Sequence, residues 1–248
     1  MQKLALKIFG PFLTVLFSDS ASFDRYIWLK KKFKKGKLRA LDAGCGSGAL
    51  SFYAAKCGNE VVGISVDKRN NAVARARTNI LGLKQIIFLD EDLRKLDQIS
   101  AKIGTFDQII CFETIEHILN DRKLVKDFFS LLNPGGKLIL TTPYKHYRHF
   151  PGDYITEVED GSHVRWGYEF GEMRDILEEN KFVLESEEYL VGFISQIICR
   201  ITKKLDAIYP HFGWFVTLLL RPLTIFDWPL TKIFRYPYWV IAVVARKN

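Results

Sequence analysis

Apolar residues along this chain form short runs separated by longer segments with helical spacing. The short runs are rich in β-branched or bulky apolar residues and predict strands over residues 38–41, 60–66, 86–89, 106–112 and 137–142. The longer segments predict helices over residues 22–33, 49–57, 68–81 and 121–132. Strands that alternate with helices in this way predict a parallel sheet with helices on both faces.

The pattern becomes less regular after residue 142. Residues 143–164 are polar, aromatic and turn-rich, so we expect a loop over the functional site. A helix is then expected over residues 169–180, with strands over residues 182–189 and 239–245. The stretch between these two strands is aromatic and basic, where a compact fold needs only a short connection.

The length and composition favour one domain with additions. The chain has 248 residues, of which 48% are hydrophobic and 26% charged, as expected for a globular protein rather than a disordered one. We divide it into an N-terminal helical segment (1–36), a core (37–190), an aromatic and basic insert (191–238) and the last core strand (239–248).

The four cysteines indicate an intracellular protein. Cys45, Cys57, Cys111 and Cys199 show neither paired nor CxxC spacing, so no disulfide framework or zinc site is expected. We therefore expect a cytoplasmic location. The N-terminal stretch contains Gly10-Pro11 and no small-residue cleavage site follows, so we do not expect a signal peptide.

The net charge of +8 comes partly from one basic run between Lys30 and Arg39. Such an excess favours anionic partners, either nucleic acid or an anionic membrane face. A solvated helix end explains the run equally well. The charge alone therefore leaves the partner open.

A glycine-rich segment, Asp42-Ala43-Gly44-Cys45-Gly46-Ser47-Gly48, joins the first predicted strand to the next helix. Glycines let the backbone approach a ligand closely, and the following helix N-terminus offers free N–H groups. Gly44, Gly46 and Ala49 also satisfy the GxGxx(G/A) pattern of dinucleotide-binding folds. From the glycines alone, a nicotinamide enzyme stays open.

The surrounding residues resemble class I S-adenosylmethionine-dependent methyltransferases. Leu-Asp-Ala-Gly-Cys-Gly-Ser-Gly resembles the first motif of that family, and residues 106–117 resemble the FDxVxCxExxEH motif of methyltransferases that O-methylate ubiquinone precursors. With Leu132-Asn133-Pro134-Gly135-Gly136 and Thr141-Thr142-Pro143, the resemblance covers about residues 38–182. It implies a Rossmann-like α/β fold with seven strands, mostly parallel with the last reversed, and here an aromatic cap between the last two strands.

The resemblance also implies S-adenosylmethionine as cofactor. The glycine loop would hold its methionine half and Asp42 its ammonium group, whereas an acid at Asp42 would repel a diphosphate. The cofactor-binding residues implied are Asp42, Ala43, Gly44, Cys45, Gly46, Gly48, Ser65, Asp67, Asp92, Leu93 and Glu113.

Two of these assignments depart from the family pattern or compete with a plainer explanation. Ser65 occupies the usual position of the acid that binds the ribose hydroxyls, and we expect Asp67 to replace it, since residues two apart share a strand face. Asp92 with Leu93 matches the adenine-side position. A solvated acidic turn is the alternative for Asp92.

The catalytic candidates are Glu113, Glu116, His117 and His163. The first three are three and four residues apart, so a helical turn would place them on one face. A general base at His117, a divalent metal site and a network without proton transfer all stay open. His163 and Arg165 resemble the substrate-side HxR segment of the family. No metal is assigned, and Cys111 is expected in the core, because methyl transfer needs no enzyme nucleophile.

The insert combines aromatic and basic residues, a composition typical of segments that lie in a membrane interface. Its uncharged run, residues 207–220, is too short to span a bilayer. Residues 8–17 form a second candidate anchor. A soluble lid and a dimer interface are alternatives, and the oligomeric state stays open.

We therefore expect a methyltransferase that acts on a hydroxyl or activated carbon of a small, lipophilic acceptor, at an anionic membrane surface on the cytoplasmic side. The rivals are an RNA methyltransferase and a cofactor-binding module without catalysis. Nucleic acid is not favoured, because the aromatic residues do not interleave with the basic run.

Overall fold

The computed structural model describes residues 18–150, 152–208 and 212–248 together with Leu6, Gly10, Phe12 and Val15, and for Trp214 only the backbone. Within this part of the chain, seven strands form one sheet: β1 (Arg39–Ala43), β2 (Glu60–Ile64), β3 (Ile86–Leu89), β4 (Phe106–Phe112), β5 (Leu132–Pro143), β6 (Phe182–Leu190) and β7 (Val240–Lys247). The strand order is β3-β2-β1-β4-β5-β7-β6.

Strands β1 to β5 pair in parallel, whereas β7 runs antiparallel to both β5 and β6. The predicted sheet, mostly parallel with its last strand reversed, is confirmed. The carboxyl ends of β1, β2, β4 and β5 therefore lie along one edge, which is where open α/β sheets bind ligands.

The described α-helices are α1 (Ser20–Lys32), α2 (Ala49–Lys56), α3 (Lys68–Leu81), α4 (Leu96–Ile103), α5 (Asp121–Leu131), α6 (Phe170–Glu179), α7 (Phe193–Ile208), α8 (Phe212–Leu220) and α9 (Asp227–Ile233). Short 3₁₀ turns cover Leu93–Lys95, Ile115–His117 and Arg221–Phe226.

Helices cover both faces of the sheet, as the alternation predicted. Along β4, Ile109 packs into a cluster with Leu124 of α5, while Ile110 packs on the opposite face with Phe52 of α2. Successive strand residues point to opposite faces, so a strand buried on both sides is continuously apolar. This explains why the second half of β4, from Ile109 to Phe112, is continuously apolar.

Two parts of the pattern differ from the expectation. Helix α4 was not predicted, because it is a short segment between the third and fourth strands. Residues 133–136 were expected to form a turn before a strand, but β5 begins at Leu132, which pairs with Phe106. The register then shifts so that Gln108 pairs with Lys137, and the glycines are accommodated as an irregularity within the strand.

The insert consists of α7, α8, the 3₁₀ turn Arg221–Phe226 and α9. The chain leaves the sheet after β6 and re-enters it at β7, and the backbone N–H of Trp239 donates to the carbonyl of Val191 at 3.0 Å. None of the described helices is both long enough and apolar enough to traverse a bilayer. The second candidate anchor, residues 8–17, lies outside the described residues apart from Gly10, Phe12 and Val15.

Candidate functional site

The glycine loop lies where β1 ends and α2 begins. Gly44 has φ +84°, and a Cβ there would lie 2.1 Å from Oγ1 of Thr114, which follows β4. Only glycine therefore lets the two loops pack this closely. Gly46 has φ +49° and faces open space, so its backbone is accessible to a ligand.

Asp42 is buried on β1 beneath this loop and accepts a hydrogen bond of 2.6 Å from the Ser51 hydroxyl. Burial raises the pKa of Asp42 to about 6, and the hydrogen bond from Ser51 opposes that rise. A buried carboxylate without a cationic neighbour is costly, so the group favours a cation at this position.

The structure places Asp67 at the start of α3, where it caps the helix. Its Oδ1 accepts hydrogen bonds from the backbone N–H groups of Arg69 and Asn70, and Oδ2 accepts one from the Asn70 side chain. Ser65 Oγ accepts from the Asp67 N–H at 3.1 Å. The ribose contact of Asp67 stays a prediction, and it requires the carboxylate to exchange cap bonds for ribose bonds.

The adenine-side candidates lie after β3. Asp92 caps the 3₁₀ turn and forms an ion pair with Arg94, whose hydrogen bonds lower the pKa of Asp92. Arg94 also contacts Glu159 at 2.7 Å, which links this turn to the loop after β5. Leu93 is buried in the core. The adenine contact likewise stays a prediction.

Glu113 follows β4 in a left-handed conformation, with φ +47°. The helical turn begins only at Ile115, so Glu113 does not share a helical face with Glu116, contrary to the expectation. Its Oε1 accepts from Thr141 Oγ1 at 3.0 Å, and its Oε2 lies 2.9 Å from Arg25 Nη1 of α1. Arg25 had no sequence signal, because the ion pair joins residues 88 positions apart.

Glu116 is fully buried beside this ion pair. Its Oε2 accepts a 3.1 Å hydrogen bond from Thr142 Oγ1. Burial, and then the charge of Glu113, raise the pKa of Glu116 well above its usual value. These effects favour the neutral carboxylic acid form of Glu116, whose Oε1 lies 3.9 Å from His117 Nε2.

His117 and His163 lie together over these acids, with ring centroids 4.6 Å apart. Nδ1 of His117 lies 3.0 Å from the Ser162 carbonyl oxygen, which can only accept, so Nδ1 carries the proton and Nε2 is left unprotonated in the neutral ring. Burial, and then His117, lower the pKa of His163. The neutral form of His163 is therefore favoured, and Nε2 of His117 is available to accept a proton.

Arg165 anchors the loop that carries His163. Its guanidinium contacts Asp121 at 2.5 Å and donates to the carbonyls of Ile118 and Leu119 at 2.9 Å. All of these contacts are within the protein. Arg165 therefore holds the loop in place, whereas the substrate-side position of His163 stays a prediction.

One group of described residues has the chemistry of a metal site. Ligand atoms of Glu116, His117 and His163 all lie within 4.8 Å of one another. This set differs from the triad suggested by the sequence, because Glu113 is paired with Arg25 and His163 takes its place. The base and the metal interpretations thus share the same two histidines.

A cavity of about 520 Å³ opens beside these residues. Its wall combines charged groups from α1 and from the end of β4 with rings from the loop after β5 and from the residue before β7. They include Arg25, Glu113, Glu116, Phe150, His163 and Trp239. Helix α7 of the insert closes it with Cys199, Thr202 and Lys203. The cavity is large enough for a small aromatic molecule.

A family model described as a methyltransferase domain matches residues 34–182, more than half of the chain. The chain belongs to this methyltransferase family. The membership confirms the enzyme class and the cofactor that the sequence motifs predicted, a methyltransferase that uses S-adenosylmethionine. The matched residues run from the loop before β1 to the start of β6 and so include every site residue predicted from the sequence.

Curated relatives of this methyltransferase include ubiquinone biosynthesis O-methyltransferases. The protein from Xanthomonas oryzae pv. oryzae is 34% identical over 105 residues, which are 42% of this chain and 42% of that protein. The protein from Methylocella silvestris is 33% identical over 113 residues, 46% of this chain and 43% of that protein. The chain thus aligns with less than half the length of these relatives.

Solved structures share the fold of this methyltransferase at low identity. A methyltransferase from Mesorhizobium loti has a TM-score of 0.60 and 19% identity, covering 94% of this chain and all of that one. Phosphoethanolamine N-methyltransferase 2 from Haemonchus contortus, solved with S-adenosyl-L-methionine, has a TM-score of 0.63 and 19% identity, covering 96% of this chain and 57% of that one.

The glycine loop of this methyltransferase fits its cofactor. The N-cap of α2 is Gly48, which offers no side chain to cap the first N–H groups of the helix. Gly46 leaves the space above the loop open, and the buried carboxyl of Asp42 lies beneath it. These features suit a polar ligand with a cationic group that rests on the backbone.

Proposed function

We propose that this chain transfers the methyl group of S-adenosylmethionine to a hydroxyl group of a small, lipophilic acceptor. The hydroxyl is suggested by the O-methyltransferase names of the curated relatives. The lipophilic character is suggested by the rings of Tyr147, Phe150 and Trp239 in the cavity wall.

The observation that carries this proposal is the bond between His117 and the Ser162 carbonyl. It holds the imidazole in one tautomer, with Nε2 free to take a proton. A hydroxyl is a poor nucleophile until its proton is removed, whereas an amine is already nucleophilic when neutral. A positioned neutral imidazole is therefore the group that O-methylation needs.

Bound S-adenosylmethionine supplies a methyl carbon on a positively charged sulfur, which an oxygen nucleophile displaces in line. Asp42 and the loop from Gly44 to Gly48 hold the methionine half of the cofactor. His117 receives the hydroxyl proton at Nε2, and His163 contacts the acceptor from the cavity wall. Glu116, whose neutral form is favoured by burial, lies beside His117.

The proposed function is tested by replacing His117. With a catechol that carries a short prenyl chain as acceptor, His117→Gln should lower kcat by at least about 100-fold, the usual contribution of a general base. Cofactor affinity measured by calorimetry should not change. His146→Gln is the matched control, because His146 is an exposed histidine that pairs with Glu169.

Unchanged kcat in His117→Gln would contradict the base assignment. Dialysis against EDTA separates the metal alternative, since activity that is lost and then restored only by Mg²⁺, Mn²⁺ or Zn²⁺ would assign Glu116, His117 and His163 to a metal. Methylation at carbon rather than oxygen, identified by mass spectrometry of the product, would replace the hydroxyl acceptor with an activated carbon.

For location, the proposal places the protein on the cytoplasmic side of a membrane, attached at the surface. Support comes from the net charge of +8, which favours the anionic leaflet. A lipophilic acceptor would be concentrated in the same membrane.

A further inference from the structure

Large apolar side chains are exposed throughout the second half of the insert. They come from α8, the 3₁₀ turn and α9, and we call them the apolar face: Phe212, Phe215, Leu219, Leu223, Ile225, Phe226, Trp228, Ile233 and Phe234. Ile225 is 77% exposed and Ile233 is 70% exposed. Single exposed apolar residues are normal, but a concentration of this kind marks an interaction surface.

The elements of this segment expose their large apolar side chains and bury small and polar ones. Helix α8 exposes Phe212, Phe215 and Leu219, which are three and four residues apart, and buries Gly213 and Thr217. A helix that packs on a soluble protein buries its apolar side. Here the small and polar side is buried.

The 3₁₀ turn and α9 repeat this reversal. Arg221 is buried and donates to the carbonyl of Ser18 at 2.9 Å, while Leu223 and Ile225 are exposed. Thr231 is buried and accepts from the backbone N–H of Phe193 at 2.8 Å. The polar groups of the segment thus attach it to the rest of the protein, and its apolar groups face outward.

The charges around the apolar face are positive. From Phe212 to Tyr238 the one acid in the sequence is Asp227, and its carboxylate accepts from the N–H groups of Gly192 and Ile194 at the start of α7. Lys232 lies over the Trp228 ring at 4.1 Å, and Arg235 is exposed close by in the chain. No anionic group of this stretch is directed to the solvent side.

From this arrangement we propose that the apolar face docks the protein on the surface of an anionic lipid bilayer. Apolar rings and aliphatic chains with lysine or arginine at their edge match acyl chains below anionic headgroups. A second copy of the chain is a poorer occupant, because it would bring two positive rims together. Residues 212–238 direct no acid to the solvent side, which likewise disfavours a basic protein partner.

The docking surface has a direct connection to the cavity. Helix α7 lines the cavity with Thr202, Lys203 and Asp206, and Asp206 also accepts from the Gly213 N–H at 2.8 Å, at the start of α8. A lipophilic molecule in the bilayer therefore reaches the cavity along one helix. This last step rests on the proposed function, whereas the docking itself does not.

Co-sedimentation with vesicles tests the docking surface. The full chain is mixed with vesicles of phosphatidylcholine, alone or with about 30% phosphatidylglycerol, an anionic content that gives a strong surface potential. We expect tighter binding to the anionic vesicles, reduced but not abolished at high salt. Ile225→Ser combined with Ile233→Ser should weaken binding roughly tenfold or more, since two exposed aliphatic side chains that would enter the bilayer are lost.

The matched control is Ile87→Ser, which changes an isoleucine of similar exposure, 55%, on the edge strand β3 far along the sheet from the insert. It should bind vesicles like the unchanged protein. S-adenosylmethionine affinity, measured by calorimetry, shows that each variant is folded. If a variant fails this check, fluorescence quenching of the unchanged protein by brominated lipid, compared with Trp228→Phe, still reports whether Trp228 enters the bilayer.

Equal vesicle binding by the double variant and the control would overturn the proposal. A dimer that dissociates in the double variant, with vesicle binding unchanged, would assign the face to a second copy. Methylation of a water-soluble catechol without vesicles separates the two proposals. Vesicle binding without methyl transfer retains the docking surface and rejects the proposed function, and methyl transfer without vesicle binding does the reverse.

Discussion

At the scale of single residues, Asp42 links burial to cofactor binding. Its raised pKa of about 6 means that it is largely ionised at neutral pH but loses its charge with mild acidification. In the proposed function Asp42 binds the ammonium group of S-adenosylmethionine, and this contact needs the ionised carboxylate. The sign follows directly, because affinity is present above this pKa and is lost as the pH falls through it.

We therefore predict that cofactor affinity decreases about tenfold between pH 7.5 and pH 5, where only about a tenth of a group with this pKa is ionised. Isothermal calorimetry at the two pH values measures the change. Asp42→Asn should bind weakly at both. Ser51→Ala, which removes the hydrogen bond to the carboxylate, should move the midpoint to higher pH. The same pH dependence in Asp42→Asn would reject this assignment.

The candidate site shows what single residues in a sequence can and cannot reveal. Asp42, Glu116 and His117 belong to local motifs, so their types and spacing were informative. The partner of Glu113 was not foreseeable, because Arg25 reaches it from α1 through the tertiary fold. Asp67 stands directly before a predicted helix, which is typical of an N-cap, whereas the family resemblance implies a ribose contact for it.

At the scale of elements, the seam between α1 and the insert contains a titrating carboxyl group. Burial raises the pKa of Asp24 to about 7, while hydrogen bonding to Ser195 opposes the rise and Asp227 adds to it. Arg25 and Arg221 also oppose it. The folded protein therefore holds the Asp24 proton more tightly than the unfolded chain, and stability falls as the pH rises from about 4 to about 7.

We predict that Asp24→Asn raises Tm by several degrees at pH 8, where the unchanged protein carries the full cost of the buried charge, and by almost nothing at pH 4. Thermal unfolding followed by circular dichroism at both pH values measures this. Asp175→Asn changes an exposed aspartate on α6 and should leave Tm unaltered at either pH. A stabilisation that is equal at both pH values would show that removal of charge is not its cause.

Elements with a strong local pattern were predictable and the others were not. The bounds of α3, β3 and β4 were predicted to the residue, since each has a continuous apolar or helical period. Helix α4 has apolar residues at helical spacing, Leu96, Ile99 and Ile103, but it covers only eight residues and was missed for that reason. The residues before Lys137 belong to β5 because pairing with β4 begins at Leu132 and resumes at Lys137 after an irregularity at residues 133–136.

At the scale of the whole molecule, the basic run between Lys30 and Arg39 extends away from the cavity. Helix α1 begins at the cavity, which Asp19 and Arg25 line, and ends at Lys32. Its 13 residues span about 20 Å. The basic run that follows precedes β1 and so lies at the sheet edge opposite the carboxyl ends. Because of this separation, we do not expect the basic run to guide an acceptor into the cavity.

We predict that reversing three exposed charges of the run, Lys34→Glu with Lys35→Glu and Lys37→Glu, leaves kcat/KM for a small catechol unchanged within about twofold, because screening removes most of an interaction over two Debye lengths. Steady-state kinetics at physiological salt measures it. The same charge reversal should abolish any nonspecific RNA binding seen by filter retention. A large loss of kcat/KM that occurs with an RNA acceptor but not with the catechol would support an RNA methyltransferase instead.

The insert was predictable, because the stretch between the last two strands is longer than a compact fold needs. Its reversed amphipathicity was not predictable, because aromatic and aliphatic residues at helical spacing are typical of a helix that packs against the core. Which side is buried depends on partners such as Ser18 for Arg221 and Phe193 for Thr231. These contacts join residues far apart in the chain.

The insert leaves and rejoins the sheet at adjacent points, where Leu190 pairs with Val240 and Trp239 bonds to Val191. In topological terms it is an enlarged hairpin loop. Evolution can lengthen, shorten or exchange such a loop without changing the order of any strand or touching the glycine loop. Changes in this one segment can therefore alter the acceptor and the cellular location, while the part of the sheet that binds the methyl donor stays the same.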